Sequence, residues 1–172
     1  AVILDPARIP EGLNDSKKLT EKKRCALYDE LLRVADVSIA AATVAEIDEH
    51  NILHASHIAM VRAIAGLSQS PDHALIDGNM IPRDLAISSQ TIIKGDARSL
   101  SIAAASIVAK VWRDRHMVAL AQQHPHYGWE KNAGYPTAQH KLGLQQFGVT
   151  EHHRRSFKPI HNILYQDKNL TP

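Results

Sequence analysis

The chain has 172 residues and a mass of 19.0 kDa, long enough for one domain with a well-buried core, and its 44% hydrophobic content agrees. Net charge is only +2, but a pI of 8.7 and 11 histidines leave room for a locally basic face, so nucleic-acid binding is compatible and a globally polycationic protein is excluded. A single cysteine, Cys25, rules out an internal disulfide, and no apolar run approaches the ~18 residues of a membrane span, so a soluble, cytoplasmic protein is expected.

The chain opens on Ala1-Val2-Ile3-Leu4, which reads as part of a strand, and without an initiator Met it is read as an N-terminally truncated piece. Thr20, with Glu21 in the first turn, caps a helix whose apolar face is expected to carry Leu27, Leu31, Leu32 and Ala35. Lys17, Lys18, Lys22, Lys23 and Arg24 crowd its start. Residues 37–42 alternate as a strand, with Val37, Ile39 and Ala41 on one side. Thr43 and Glu46 then form a capping box for a helical region that runs to about Leu67, broken near His50-Asn51.

Beyond Pro71, residues 74–77 and 87–94 are expected as strands. A long Ala-rich helix follows from Leu100 to about Gln122, its small residues Ala103, Ala104, Ala105, Ser106 and Ala109 allowing close approach to a sheet, and Pro125 stops it. Thr137 caps a last short helix ending near Gly148. Strands alternating with helices indicate an α/β fold in a single domain over residues 1–172, with no internal repeat.

Two of these strands end on aspartates 19 residues apart: Leu75-Ile76-Asp77-Gly78-Asn79, and Asp96 after the Lys94-Gly95 turn. Strand-end carboxylates suit a hard divalent ion, which prefers oxygen ligands; the competing reading is that Asp-Gly and Gly-Asp simply make turns. Asp114, 18 residues along the helix that follows Asp96, would lie about 27 Å away on a straight helix and reads as an ion-pair residue flanked by Arg113 and Arg115. Asp29-Glu30 and Asp48-Glu49 read as solvated helix faces. Paired histidines (54/57, 124/126, 152/153) do not indicate zinc, since there is no second cysteine and no His-Glu-x-x-His.

Together with Asn14-Asp15-Ser16-Lys17-Lys18-Leu19 and Asn132-Ala133-Gly134-Tyr135-Pro136-Thr137, the two aspartate segments resemble bacterial ribonuclease HII, the type 2 ribonuclease H, in order from about Ala1 to about Pro159. The resemblance implies a ribonuclease-H-like mixed sheet flanked by helices, with residues 125–172 as a helical C-terminal extension. It implies an endonuclease acting on RNA–DNA hybrids and on single ribonucleotides embedded in duplex DNA, a DNA-repair role, a monomer, and Mg²⁺ or Mn²⁺ as cofactor. Asp77 and Asp96 become the third and fourth members of the family's four-carboxylate set. The first two, an adjacent Asp-Glu in Asp-Glu-Ala-Gly-Arg-Gly, would precede Ala1, so the chain alone is expected to be inactive or nearly so. Tyr135 takes the role of the ring that stacks on the sugar at the RNA–DNA junction.

Asn14, Ser16, Lys17, Lys94, Ser99 and Ser101 are candidates for phosphate or site-backbone contacts, with turns and helix caps as the competing reading for Asn14 and the serines. The closing His152-His153-Arg154-Arg155 is expected to face the duplex backbone. Two other readings stay open: a hybrid-binding fragment without activity, and another ribonuclease-H-fold metal nuclease such as a Holliday-junction resolvase relative.

Overall fold

The computed structural model describes residues 1–165 as two compact units, 1–41 with 56–113 and 42–55 with 114–165. The first helix, α1 (Glu21–Val34), starts where Thr20 Oγ1 accepts the Lys23 N–H at 3.3 Å, as a Ser/Thr cap should. Its buried stripe is Leu27, Tyr28 and Leu31, whereas Leu32 is 47% exposed. Leu27 and Leu31 are buried and Ala35 packs against the same core, as expected, whereas Tyr28 joins the stripe and Leu32 falls beyond its edge.

That stripe packs on Ala104, Ile107, Val108 and Val111 of α3 (Leu100–Gln123), with Val2, Leu4, Val37 and Ile39 closing the core of the first unit. The small residues of α3 permit the close approach expected of them; Ala103 and Ala104 are fully buried. Strands β1 (Val2–Ile3) and β2 (Asp36–Val37) form an antiparallel ladder, Val2 opposite Val37. The strand expected over 37–42 is shorter, Asp36–Val37, and Ala1 and Ser38 exchange two further bonds, at 2.9 and 3.1 Å.

Strands β3 (His73–Asp77) and β4 (Ser88–Ile92) form a separate parallel ladder with Asp77 opposite Ile92. The α/β class holds, with the strands among the described residues in two two-stranded ladders. A groove of about 920 Å³ lies between them, lined by residues 1–4 of β1 and its flanks, by residues 73–77 of β3, and by Ser101, Ala105 and Ala109 of α3. Asp77 is at one end of that lining strand. Helix α2 (Val44–Ala65) breaks at Asn51, where φ is +66°, as the His50-Asn51 reading expected; the Asn51 side chain accepts the Leu53 and His54 N–H groups and so recaps the second segment.

In the second unit the Thr43–Glu46 box is formed in full: Glu46 Oε2 takes the Thr43 N–H at 2.8 Å and Thr43 Oγ1 takes the Glu46 N–H at 3.2 Å. Short helices α4 (Trp129–Asn132), α5 (Ala138–Phe147) and α6 (Lys158–Tyr165) surround a core of Ala121, Tyr127, Trp129, Leu144 and Ile160. Asp48 is more than a solvated helix face. Its carboxylate accepts the Arg155 N–H at 2.9 Å, the Ser156 N–H at 3.0 Å and the Ser156 hydroxyl at 2.6 Å.

Partial burial raises the Asp48 carboxyl's pKa, but the bonds from Ser156 and Arg155 and the nearby Arg154 charge outweigh it and hold the pKa below 3.8. A depressed folded-state pKa means this stabilisation is present above the unfolded value and is lost as pH falls through the folded one. Asp48→Ala should cost about 1 kcal/mol at pH 7, because three bonds to a partly solvated carboxylate are lost. The difference in unfolding midpoint from the parent should shrink toward zero below about pH 3.8. A difference that stays constant with pH would assign the loss to packing.

Candidate active site

The carboxylate pair is assembled by one backbone group. Strand β3 delivers Asp77 at its C-terminal end, and Gly78, at φ +103°, turns the chain away while its N–H still pairs with the Ile92 carbonyl at 3.1 Å. Strand β4 then leads into Lys94, a non-glycine residue held in the left-handed region at φ +55°. Such a conformation costs roughly 1–2 kcal/mol. It starts a 3₁₀ turn, Gly95–Ala97, whose first N–H points at β3: Gly95 N–H donates to Asp77 Oδ1 at 2.8 Å.

Gly95 is needed there for closeness rather than for dihedral freedom. A Cβ on it would sit 2.5 Å from Ile102 Cδ1 and 3.2 Å from Asp77 Oδ1. Asp96 therefore follows directly after the residue bonded to Asp77, and the structure brings the two expected acids to one end of the parallel ladder. Asp77 is exposed and Asp96 half-buried, so both are open to a ligand. Among the described residues no group of three or more His, Cys, Asp or Glu forms a metal cage. The pair is a two-carboxylate edge rather than a closed site.

The neighbours divide. Ser99 accepts the Ile102 N–H on Oγ at 3.4 Å and the Ala103 N–H on its carbonyl at 2.9 Å, so it serves as the start of α3, the competing reading given above. Lys94 is exposed beside the pair and Ser101 lines the groove. The 14–17 loop folds on itself: Asn14 Oδ1 takes the Asp15 N–H at 2.8 Å and Asp15 Oδ1 the Lys17 N–H at 2.9 Å. Arg24 ties the loop down through the Ser16 and Leu19 carbonyls, both at 2.8 Å. Asn14 and Lys17 are exposed, whereas Ser16 is buried within the loop.

Tyr135 belongs to the second unit and is 67% exposed. Its turn is fixed on both sides: Tyr135 N–H donates to the Asn132 carbonyl at 2.9 Å, and Thr137 N–H to the Tyr135 carbonyl at 2.8 Å. Ala133 (φ +47°) and Gly134 (φ +83°) carry the reversal. The buried Asn132 amide anchors it, donating to the Tyr127 carbonyl at 2.7 Å and accepting the Gly134 N–H at 2.9 Å. Thr137 then caps α5 as expected, taking the His140 N–H at 3.3 Å.

A sequence model of ribonuclease HII matches residues 2–160. The chain belongs to the ribonuclease HII family. A ribonuclease HII of Ruegeria pomeroyi is 66% identical over 97% of the chain and 71% of its own length, and one of Roseobacter denitrificans is 59% identical over the whole chain and 87% of its own. Among solved structures, ribonuclease H2 from Pyrococcus horikoshii superposes with a TM-score of 0.76 at 25% identity, covering 96% of this chain and 88% of that one. The chain in a PCNA:RNase HII complex from Archaeoglobus fulgidus matches at 0.69 and 20% identity, over 91% and 84%, a likeness of fold. Membership makes the protein a hydrolase with ribonuclease H endonuclease activity. No helix among the described residues is long and apolar enough to cross a membrane.

Within that family frame, one expected surface is corrected. His153 does not face outward: it is 5% exposed and its ring lies 4.9 Å from Tyr127 and 5.1 Å from Trp129, leaving Arg155 as the exposed member of the 152–155 cluster. Asn132 and His140 were assigned no role from sequence, and Gly95 only that of a turn residue. Gly95 sat in plain view between Lys94 and Asp96, and a glycine directly before a candidate ligand is the signal that could have found it.

Proposed function

We propose that the protein hydrolyses the RNA strand of RNA–DNA hybrids, and cuts at single ribonucleotides embedded in duplex DNA, with Asp77 and Asp96 as ligands for Mg²⁺ or Mn²⁺. The observation that carries this reading is the Gly95 N–H to Asp77 Oδ1 bond, which holds the turn bearing Asp96 against the strand end bearing Asp77. Carboxylate oxygens are the hard donors that such ions prefer, and a partly built site leaves positions for water and phosphate oxygens. When bound, divalent ions supply an activated water and charge stabilisation on the leaving oxygen, in a two-ion arrangement.

The chain's own residues account for the rest. Exposed Lys17, Lys94 and Asn14 provide positive charge or hydrogen bonds for a phosphate backbone, affinity that carries no base sequence. The Tyr135 ring packs on the sugar at the junction, where presence or absence of the 2′-hydroxyl distinguishes RNA from DNA. The products are a 5′-phosphate and a 3′-hydroxyl, and the setting is cytoplasmic DNA repair by a monomer.

The test uses the protein as its gene encodes it, with end-labelled duplexes that carry an RNA tract, one ribonucleotide, or none. Cleavage of the first two in millimolar Mg²⁺ or Mn²⁺, none in EDTA, and none of plain DNA is expected. Tight hybrid binding without any metal-dependent cut would favour a binding role, and preferential cutting of a four-way junction would favour a different nuclease of this fold.

A further inference from the structure

The second unit holds two buried imidazoles, His140 and His153, whose Nε2 atoms are 3.1 Å apart. Two imidazole nitrogens can share that distance only with one proton between them. The outer ends of the pair decide whose it is. His140 Nδ1 is 3.1 Å from the Tyr135 carbonyl, which can only accept, so His140 carries its proton on Nδ1 and offers a lone pair at Nε2. His153 Nδ1 lies 3.1 Å from the Thr150 N–H, which can only donate, so His153 is protonated on Nε2. The Thr150 hydroxyl, 2.9 Å from the same nitrogen, donates to it as well.

The bonds therefore run in one direction: Thr150 to His153, His153 Nε2–H to His140 Nε2, and His140 Nδ1–H to the Tyr135 carbonyl. Trp129 Nε1–H adds a longer contact to His140 Nε2 at 3.4 Å. We propose that His140 is a positioning residue for Tyr135, holding the carbonyl of that turn through a tautomer that His153 fixes. This rests on the reading that the Tyr135 ring meets the substrate.

Charge would break the relay at either ring. A proton on His140 Nε2 would face the two donors from His153 and Trp129; one on His153 Nδ1 would face the Thr150 N–H. The groups packed around the pair are Tyr127, Trp129, His124 and His152. Burial, then the neighbouring His140, with His152 and His124 adding to it against the opposing Thr150 bond, pushes His153 down from 6.5 to about 4. With the folded value depressed, the unfolded chain binds the extra proton first, so folding stability falls as pH drops from about 6.5 toward 4, and the relay itself is lost only when His153 protonates near the lower value.

The test begins with the unaltered chain, labelled with ¹⁵N histidine. Long-range proton–nitrogen spectra at pH 7 should show Nδ1–H for His140 and Nε2–H for His153, and the reverse tautomers would overturn the proposal even if every variant failed to fold. His140→Phe keeps a ring but loses both nitrogens, whereas His140→Asn keeps a donor near the Nδ1 position. In His140→Phe the Tyr135 and Thr137 amides should exchange faster with solvent, and binding to an RNA–DNA hybrid should weaken roughly tenfold, as when a stacked ring is displaced. His140→Asn should recover most of both. Added to Tyr135→Ala, His140→Phe should weaken binding no further.

Unchanged exchange at Tyr135 in a folded His140→Phe, or losses that multiply in the double variant, would sink the positioning role. Faster exchange with hybrid binding unmoved in His140→Phe and Tyr135→Ala alike would uphold the positioning and overturn the substrate role of the ring.

Discussion

In the protein as its gene encodes it, replacing Asp77 or Asp96 with Asn should lower turnover at least about a thousandfold, ~4 kcal/mol of transition-state stabilisation, with folding intact. Asparagine is the informative substitution because of the bond Asp77 makes. The Gly95 N–H needs an oxygen acceptor, and a carboxamide oxygen supplies one, so the 2.8 Å contact and the 3₁₀ turn behind it are preserved while the charge is removed. What is lost is the negative charge that a divalent ion requires of its ligand.

The measurement is multiple-turnover cleavage of a labelled hybrid across a Mg²⁺ titration, with thermal unfolding of each variant alongside. A drop in rate with the unfolding midpoint held within a few degrees is expected. Raising Mg²⁺ should recover part of the activity if affinity is what fell, and none if the missing charge acts only in the transition state. Two folded variants that both cleave at near-parent rates would remove Asp77 and Asp96 from the site.

Local chemistry was legible in the sequence wherever the partners were near neighbours. The Thr43–Glu46 box, the Thr20 and Thr137 caps, the break at Asn51 and the stop before Pro125 each involve groups within four residues, and each formed as expected. What could not be read were pairings that only the fold creates. Asp48 reads as a solvated charge until the chain brings residues 155 and 156 to it across more than a hundred positions. His153 reads as a basic surface residue until Tyr127, Trp129 and His140 close around it.

The candidate site shows the same division. That Asp77 ends one strand and Asp96 follows the next through a turn is a statement about periodicity and turns, available from residues alone. That they share a corner depends on the parallel register setting Asp77 opposite Ile92, and on a left-handed Lys94 that swings the Gly95 N–H back onto β3. Neither is encoded in any local pattern. Strain at residue 94, two positions before Asp96, is where local preference yields to the arrangement the site requires.

Tyr135→Ala should weaken binding and slow cleavage of a duplex with one embedded ribonucleotide by roughly 5- to 150-fold, since stacking of a sugar or base on an aromatic ring is worth about 1–3 kcal/mol. The structure makes this a clean test. The turn is held by backbone bonds of residue 135, at 2.9 Å to Asn132 and 2.8 Å from Thr137, and by the buried Asn132 amide, none of which needs the ring. A side chain that is 67% exposed also contributes little to the core, so the unfolding midpoint should hardly move. Tyr135→Phe retains the stacking face and should stay within a few-fold of the parent, which separates the ring from its hydroxyl. The same variant offered a continuous RNA–DNA hybrid should lose less, because many equivalent registers are then productive and alignment at a single junction matters less. Equal rates and an unchanged cut position for Tyr135→Ala on the single-ribonucleotide duplex would mean that the exposed ring serves the 132–137 turn and not the substrate.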